Sequence, residues 1–267
     1  MSKQNLLLLV AGLLALNCIS TDLWGQGVVL DKIEQEMRKN AIDGKVDKAT
    51  VDLNGDEKTD IIYFYASGEL SCIQVFLQIN GQYMKQIDKM CSYYTLKTSQ
   101  TGKELKLIEQ QCCGESPFTF YQTYRFNQTS AMLVENYIAT NGEYTDGKMV
   151  TPASYLDRQY EVTVVNDNYN LRFSPDILPF EGSNEENFVF TCQPLTNIIA
   201  TIKSNARLKV LSELPDSDGR IWLYAEVEEK DLKSRCNITV FDSSPSENRN
   251  RPAIRGWISN RYTKKCI

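Results

Sequence analysis

A mainly all-β protein is what the sequence predicts, and three observations predict it. Short runs that alternate apolar and polar residues recur from about residue 45 onward, many of them rich in Tyr, Val and Ile. Turn signals punctuate these runs, the strongest being Asn80-Gly81. Helical spacing of apolar residues is confined to one short stretch near residue 30. The 267 residues are 42% hydrophobic and 24% charged, so the chain is globular and long enough for one or two domains. A formal net charge of −5, with no basic stripe interleaved with aromatics, gives no reason to expect nucleic acid.

In chain order, Met1–Ser20 reads as a secretory signal. Lys3 supplies the positive start and Leu6–Leu16 an apolar run too short to span a bilayer, which takes about 20 residues. Cleavage fits after Ser20 or nearer Gly27. Ala15-Leu16-Asn17-Cys18 also resembles a bacterial lipobox, in which Cys18 would carry lipid and become the first mature residue, although Asn17 stands where a small residue is usual. Plain export and lipid anchoring both remain open, and both place the protein in the periplasm or at the cell surface. The remaining seven cysteines, Cys72, Cys91, Cys112, Cys113, Cys192, Cys236 and Cys266, agree with export, because disulfides persist in oxidising compartments. Spacing does not assign their connectivity, and an odd count leaves a thiol over. Cys72 with Cys91 and Cys236 with Cys266 are the local pairings, with one of Cys112 and Cys113 reaching Cys192. No C-x-x-C spacing and no histidine support zinc instead.

Val28–Lys39 places Val29, Ile33 and Met37, with Leu30 beside them, on one helical face that would dock on a sheet. A first β-domain is expected over 28–148. Its strands are Val46–Val51, Ile61–Tyr65, Ser71–Ile79, Tyr83–Ile87, Tyr93–Thr98, Glu104–Gln110, Phe118–Phe126 and Ala131–Ala139. Short turns join neighbours, so antiparallel pairing is expected. Residues 149–158 lie in a stretch rich in Gly, Thr, Asp, Ser and Pro and read as a linker. A second domain, 159–267, follows.

Between the first two strands lies Asp52-Leu53-Asn54-Gly55-Asp56-Glu57-Lys58-Thr59-Asp60. Oxygen-bearing side chains at loop positions 1, 3, 5 and 9, with the Lys58 carbonyl at position 7, suit Ca²⁺, which takes roughly six to eight oxygens at about 2.3–2.6 Å. Tyr63 at position 12 rules out an EF-hand, which needs a bidentate Glu there. With its ninth-position Asp before a strand, the loop resembles the calcium loops of FG-GAP/VCBS-type β-repeats. It departs from them at position 6, where Glu57 replaces Gly; a non-Gly residue at positive φ costs on the order of 1 kcal/mol. The competing reading is a polar hairpin turn with solvated acids. Either way the loop staples a fold and performs no chemistry, and no second copy of it marks a multi-blade propeller.

In the second domain, Asn170-Leu171-Arg172-Phe173-Ser174-Pro175, Ile198-Ile199-Ala200-Thr201-Ile202-Lys203, Ile221-Trp222-Leu223-Tyr224-Ala225-Glu226-Val227 and Arg255-Gly256-Trp257-Ile258-Ser259-Asn260-Arg261-Tyr262 come in that order. Together they resemble a bacterial SH3 (SH3b) domain over about 100 residues. The resemblance implies a small barrel that grips peptidoglycan or a protein partner. Asp176–Asn197 and Glu228–Pro252 are insertions relative to that pattern, one of them at the ligand-facing loop. The resemblance makes Tyr169, Trp222, Tyr224, Trp257 and Tyr262 the candidate ligand residues, while Trp222 and Trp257 are equally what a small barrel buries. Tyr169 and Tyr262, amphipathic and near loops, are the better surface candidates. Arg249, Arg251 and Arg255 form a basic run that would either meet anionic wall polymers or stay solvated.

The absence of any histidine excludes Ser-His-Asp and Cys-His nucleophiles and H-E-x-x-H zinc sites. No Walker A or G-x-G-x-x-G pattern occurs, and nothing singles out a carboxylate pair for glycoside hydrolysis. The sequence therefore reads as a non-catalytic, exported envelope protein that binds peptidoglycan or an envelope protein and carries Ca²⁺ as a structural ion. An inhibitor or immunity protein directed at a cell-wall hydrolase is the alternative.

Overall fold

The computed structural model describes residues 29–68, 70–99, 102–110, 118–140, 151–177, 197–235 and 252–266. The signal stretch 1–20 with Cys18, together with Cys112, Cys113, Cys192, Cys236, Arg249 and Arg251, lies outside the described residues. Among the described residues the chain is all-β apart from one helix, α1, over residues 29–40 and short 3-10 turns. Its strands are β1 (Asp47–Val51), β2 (Asp60–Ser67), β3 (Leu70–Ile79), β4 (Gln82–Cys91), β5 (Tyr93–Ser99), β6 (Gly102–Gln110), β7 (Phe118–Phe126) and β8 (Ala131–Thr140). There follow β9 (Tyr160–Val164), β10 (Tyr169–Arg172), β11 (Ile198–Ile202), β12 (Arg207–Pro215), β13 (Ile221–Val227), β14 (Leu232–Arg235), β15 (Ala253–Ser259) and β16 (Thr263–Lys265).

Two compact units emerge, and they do not coincide with the segments 28–148 and 159–267. The first comprises Met1–Cys91, Leu96–Leu105 and Arg125–Met132; the second comprises Ser92–Thr95, Lys106–Tyr124 and Leu133–Ile267. The physical reason lies in the second unit's core, where Phe118, Phe120 and Ile138 pack with Val162, Leu208, Leu223 and Ile258. β8 also pairs with β15 in parallel, Tyr137 opposite Ala253 and Ile138 opposite Ile254, an exception to the antiparallel pattern.

In the first unit, β1-β2-β3-β4 form an antiparallel sheet. Asn80 and Gly81 both take positive φ, 51° and 79°, as a two-residue turn between right-twisted strands demands. α1 covers one face: Met37 and Ala41, with Leu30 and Ile33, meet Ile61, Tyr63, Tyr65 and Phe76. Val29 is not part of that stripe and is exposed. On the other face of β3, Ile73, Val75 and Leu77 are fully buried, so the period-2 alternation expected of Ser71–Ile79 holds. The register also decides a cysteine question. Ser71 faces Cys91 and Cys72 faces Met90. Paired residues share a face, so Cys72 and Cys91 point to opposite faces and are not brought together for a disulfide. Cys72 packs on the α1 side, opposite Tyr65, whose hydroxyl is pushed up to about 12 by burial and by the neighbouring thiol.

The larger sheet runs in the order β16-β9-β12-β13-β15-β8-β7-β6-β5, with β10, β11 and β14 branching from β15. Among the described residues the strand pairings form this open path and close no barrel. A bulge at Leu211 sets Val210 opposite Ala225 and Ser212 opposite Tyr224. The sheet thereby buries two sets of side chains: the aliphatic core around Val164, Leu208 and Ile258, and a separate cluster of Leu211, Trp222, Tyr224 and Trp257. Where β15 crosses β10, Gly256 carries the close approach. A Cβ there would lie 2.7 Å from the Arg172 carbonyl oxygen and 3.0 Å from Ile199 and Leu171 carbon atoms. Gly256→Ala is therefore expected to destabilise the protein by about 1–3 kcal/mol through forced backbone displacement, read as a lower urea midpoint with the slope unchanged.

Candidate functional site

The acidic loop runs from Val51, which pairs with Asp60, across residues 52–59. Its turns need left-handed backbone at Gly55 (φ 77°) and Glu57 (φ 64°), so position 6 takes the strained conformation although it is not glycine. Asp52, Asn54 and Asp56 are turned onto the loop's own amides. Asp52 Oδ1 accepts from the Gly55 N–H at 2.8 Å and its Oδ2 from the Glu57 N–H at 3.0 Å. Asn54 Oδ1 accepts from the Asp56 N–H at 3.2 Å, and Asp56 Oδ1 from the Lys58 N–H at 3.0 Å. The Lys58 ammonium sits 3.0 Å from Asp56 Oδ2 and, as the leading cause, holds that carboxyl below its ordinary value.

Asp60 behaves differently. It is fully buried, its Oδ2 accepts from the Leu53 N–H and its Oδ1 from the Gln78 N–H, both at 2.8 Å. Burial pushes its carboxyl above 3.8, against the pull of those two amides and with the help of the Asp52 and Asp56 charges. The loop is further fastened to its own unit: the Lys103 N–H donates to the Leu53 carbonyl at 3.2 Å, and Asn54 Nδ2 to the Gln128 carbonyl at 3.3 Å. It is thus an anchored loop rather than a free hairpin tip.

For a cation, Asp52, Asn54 and Asp56 retain lone pairs beyond these hydrogen bonds, since an ionised carboxylate offers about four acceptor sites and an amide oxygen two. Those three side chains fit a hard ion; Asp60 spends one bond on each oxygen in a dry position. The Lys58 ammonium already places a positive charge against Asp56 Oδ2. Among the described residues no three carboxylates or thiols converge as a metal-binding group.

The five candidate ligand aromatics divide by burial. Trp222, Tyr224 and Trp257 are 2%, 1% and 0% exposed, so they support the surface from within. Tyr224 stacks obliquely on Trp257 at 5.1 Å, and Trp222 Nε1 donates to Asp216 Oδ2 at 3.3 Å. Tyr262 is 47% exposed and meets Tyr169 edge to face at 5.8 Å. Tyr169 is held by its hydroxyl, which donates to the Ser259 carbonyl at 2.6 Å; burial raises its pKa. Arg255 does not lie on a solvated basic loop. It is buried, ion-paired with Glu226 at 2.7 Å and Glu135 at 3.5 Å, and its guanidinium carbon lies 3.3 Å from the Tyr137 ring centre.

Sequence reasoning passed over Arg220, whose guanidinium carbon lies 5.1 Å from the Trp222 ring centre. Its position two residues before Trp222, the period of a strand, is the signal that would have found it. No helix among the described residues is long and apolar enough to cross a membrane. Compared with protein-family models, curated proteins and solved structures, the chain matches none of them, so the functional argument rests on its own residues.

Asp60→Asn exchanges one acceptor for a donor that meets an amide N–H, leaving a buried donor unmatched. The expected loss is about 1–3 kcal/mol in urea denaturation. Because the folded carboxyl titrates above its unfolded value of 3.8, its contribution to stability is fully present below 3.8 and is lost as pH rises through the folded pKa. The gap between wild type and variant should therefore widen as pH falls through that range.

Proposed function

We propose that this protein is a non-catalytic, exported envelope protein that binds peptidoglycan through an SH3b-like module in its second unit, and that Ca²⁺ stiffens its first. One observation carries the binding reading: the Tyr169–Tyr262 pair, one ring pinned by a backbone carbonyl against the aliphatic core and the other open to solvent. Such a pair presents flat, rigid surface at little entropic cost to an extended peptide or a sugar face. The four sequence pieces that resemble SH3b domains also become neighbours, in support of the module. β10, from the Asn-Leu-Arg piece, pairs with β11 and meets β15 at Arg172 and Trp257, while β15 pairs along its length with β13.

No step of chemistry is assigned to this surface. Without imidazole, the chain lacks the usual general base at neutral pH, and its role follows from grip alone. Ca²⁺, when bound, would supply two positive charges to a loop with four acids, Asp52, Asp56, Glu57 and Asp60, using oxygens of Asp52, Asn54 and Asp56.

Two measurements test these readings. In co-sedimentation with purified sacculi the full-length protein should pellet, and Tyr262→Ala, an exposed position, should lose most of that retention at unchanged melting temperature; a wild-type protein that stays in the supernatant would overturn the reading. For the ion, millimolar Ca²⁺ should raise the melting temperature relative to EDTA, with the difference gone in Asp56→Ala. Identical wild-type curves would mean that Lys58 and the backbone amides neutralise the loop by themselves.

A further inference from the structure

Two guanidinium groups in the second unit stand on the indole-bearing face of the sheet without forming an ion pair among the described residues. Arg172 is directly opposite Trp257 in the β10–β15 pairing and therefore shares its face. Arg220 precedes Trp222 by two residues and packs on its ring. Trp222 and Trp257 belong to one buried cluster, so both arginines rim the same patch.

Their hydrogen bonding is incomplete in a specific way. Arg172 Nη1 donates to Asn197 Oδ1 at 2.6 Å. Asn197 is itself fully buried, and its Nδ2 is fixed by the Ser174 carbonyl and hydroxyl and the Asp176 carbonyl at 2.7–3.1 Å. One arm of the guanidinium is thus clamped, and its other donors find no acceptor among the described residues. Arg220 Nε is shielded from solvent with no hydrogen-bond partner at all. Neither arginine forms an ion pair among the described residues, unlike Arg255 in the same unit, which has two. A shielded, unmatched guanidinium donor is costly to keep unless something accepts from it.

The rim around them suits a ligand with an apolar body. Asn260 accepts the Ile221 N–H at 3.1 Å, tying the turn that carries Tyr262 to the segment that carries Arg220. Tyr169 sits three residues before Arg172, and its phenol feels both guanidinium charges. Desolvation draws the Arg172 pKa below its ordinary value, against the opposing pull of Tyr169 and Asp176.

We infer that Arg172 and Arg220 form a two-armed site for a carboxylate of a peptide ligand. A single negative charge is the better match than a doubly charged phosphate, because Asp176 acts electrostatically on Arg172 and Asp216 interacts with Arg220. Asp216 is already committed to the Asp218 N–H, the Ser217 hydroxyl and the Trp222 indole, so it tempers the field without filling the site. The inference rests on the proposed binding surface and adds the chemical group it recognises.

The test uses the full-length protein and two synthetic probes: the peptide Ala-Glu-Lys-Ala-Ala with free carboxylates, and its counterpart with Gln for Glu and an amidated end. Calorimetric titration should show the acid form binding at least about tenfold tighter than the amidated form. Arg172→Gln and Arg220→Gln should each erase that preference. Arg172→Lys should not restore it, because an ammonium lacks the planar fork. If Arg172→Gln does not fold, Arg220→Gln alone decides. Equal binding of the two probes, or binding of neither, would overturn the site, and so would inorganic phosphate displacing the acid peptide at equal concentration. Co-sedimentation separates this failure from that of the broader reading. Sacculi retained equally by wild type and Arg220→Gln would refute the carboxylate site alone. Tight probe binding by a protein that ignores sacculi would refute the peptidoglycan reading alone.

Discussion

The first unit depends on a buried carboxylate that holds two backbone amides. Asp60 opens β2, yet its side chain reaches back seven residues to the Leu53 N–H and across to the Gln78 N–H of β3. It thereby does for a loop what a ladder hydrogen bond does for a strand, satisfying donors that would otherwise be stranded without water. The cost is a desolvated charge, visible in the upward push on its pKa. Asp52 and Asp56, nearer solvent, spend their oxygens on the loop's own amides instead. The same acidic spacing that suits a cation thus also suits a self-capping loop, and the two demands coexist because each carboxylate has more lone pairs than amides.

Much of this was legible in the chain. The alternation in Ser71–Ile79, the Asn80-Gly81 turn and the apolar stripe of α1 each announce an element because period and turn chemistry are local properties. The left-handed backbone at Glu57 is what the resemblance to calcium loops implies for position 6, where glycine is usual. What was not legible is everything that needs register. Cys72 and Cys91 look like a local staple at nineteen residues' separation, and only the pairing of Cys72 with Met90 shows that they face apart. The division of the chain was hidden for a similar reason. Nothing local in Tyr137 or Ile138 says that they will pair in parallel with Ala253 and Ile254.

The aromatic residues show how one pattern serves two ends. Trp222, Tyr224 and Trp257 sit in strands whose two faces are both covered, so the residues that carry the family resemblance are interior. The solvent-facing member, Tyr262, lies in the 3-10 turn after β15, where no strand neighbour covers it. Burial of the first three gives the surface its rigidity, since a packed indole cannot follow a ligand by changing rotamer. One sequence pattern thus yields both interior packing and an exposed ring.

Gly256 connects these observations to the chemistry at the rim. Its missing Cβ lets β15 press against the Arg172 carbonyl, and the same contact sets Arg172 beside Trp257. With any side chain at 256, β10 would have to withdraw, carrying the arginine away from the face it now shares with Arg220. The clamp from Asn197 then fixes the direction of the guanidinium once the backbone has fixed its position. Placement comes from a close backbone crossing and orientation from a buried amide, so the geometry of the pair belongs to the fold rather than to two flexible surface side chains. A pair placed that way would give up little side-chain entropy on meeting the proposed carboxylate.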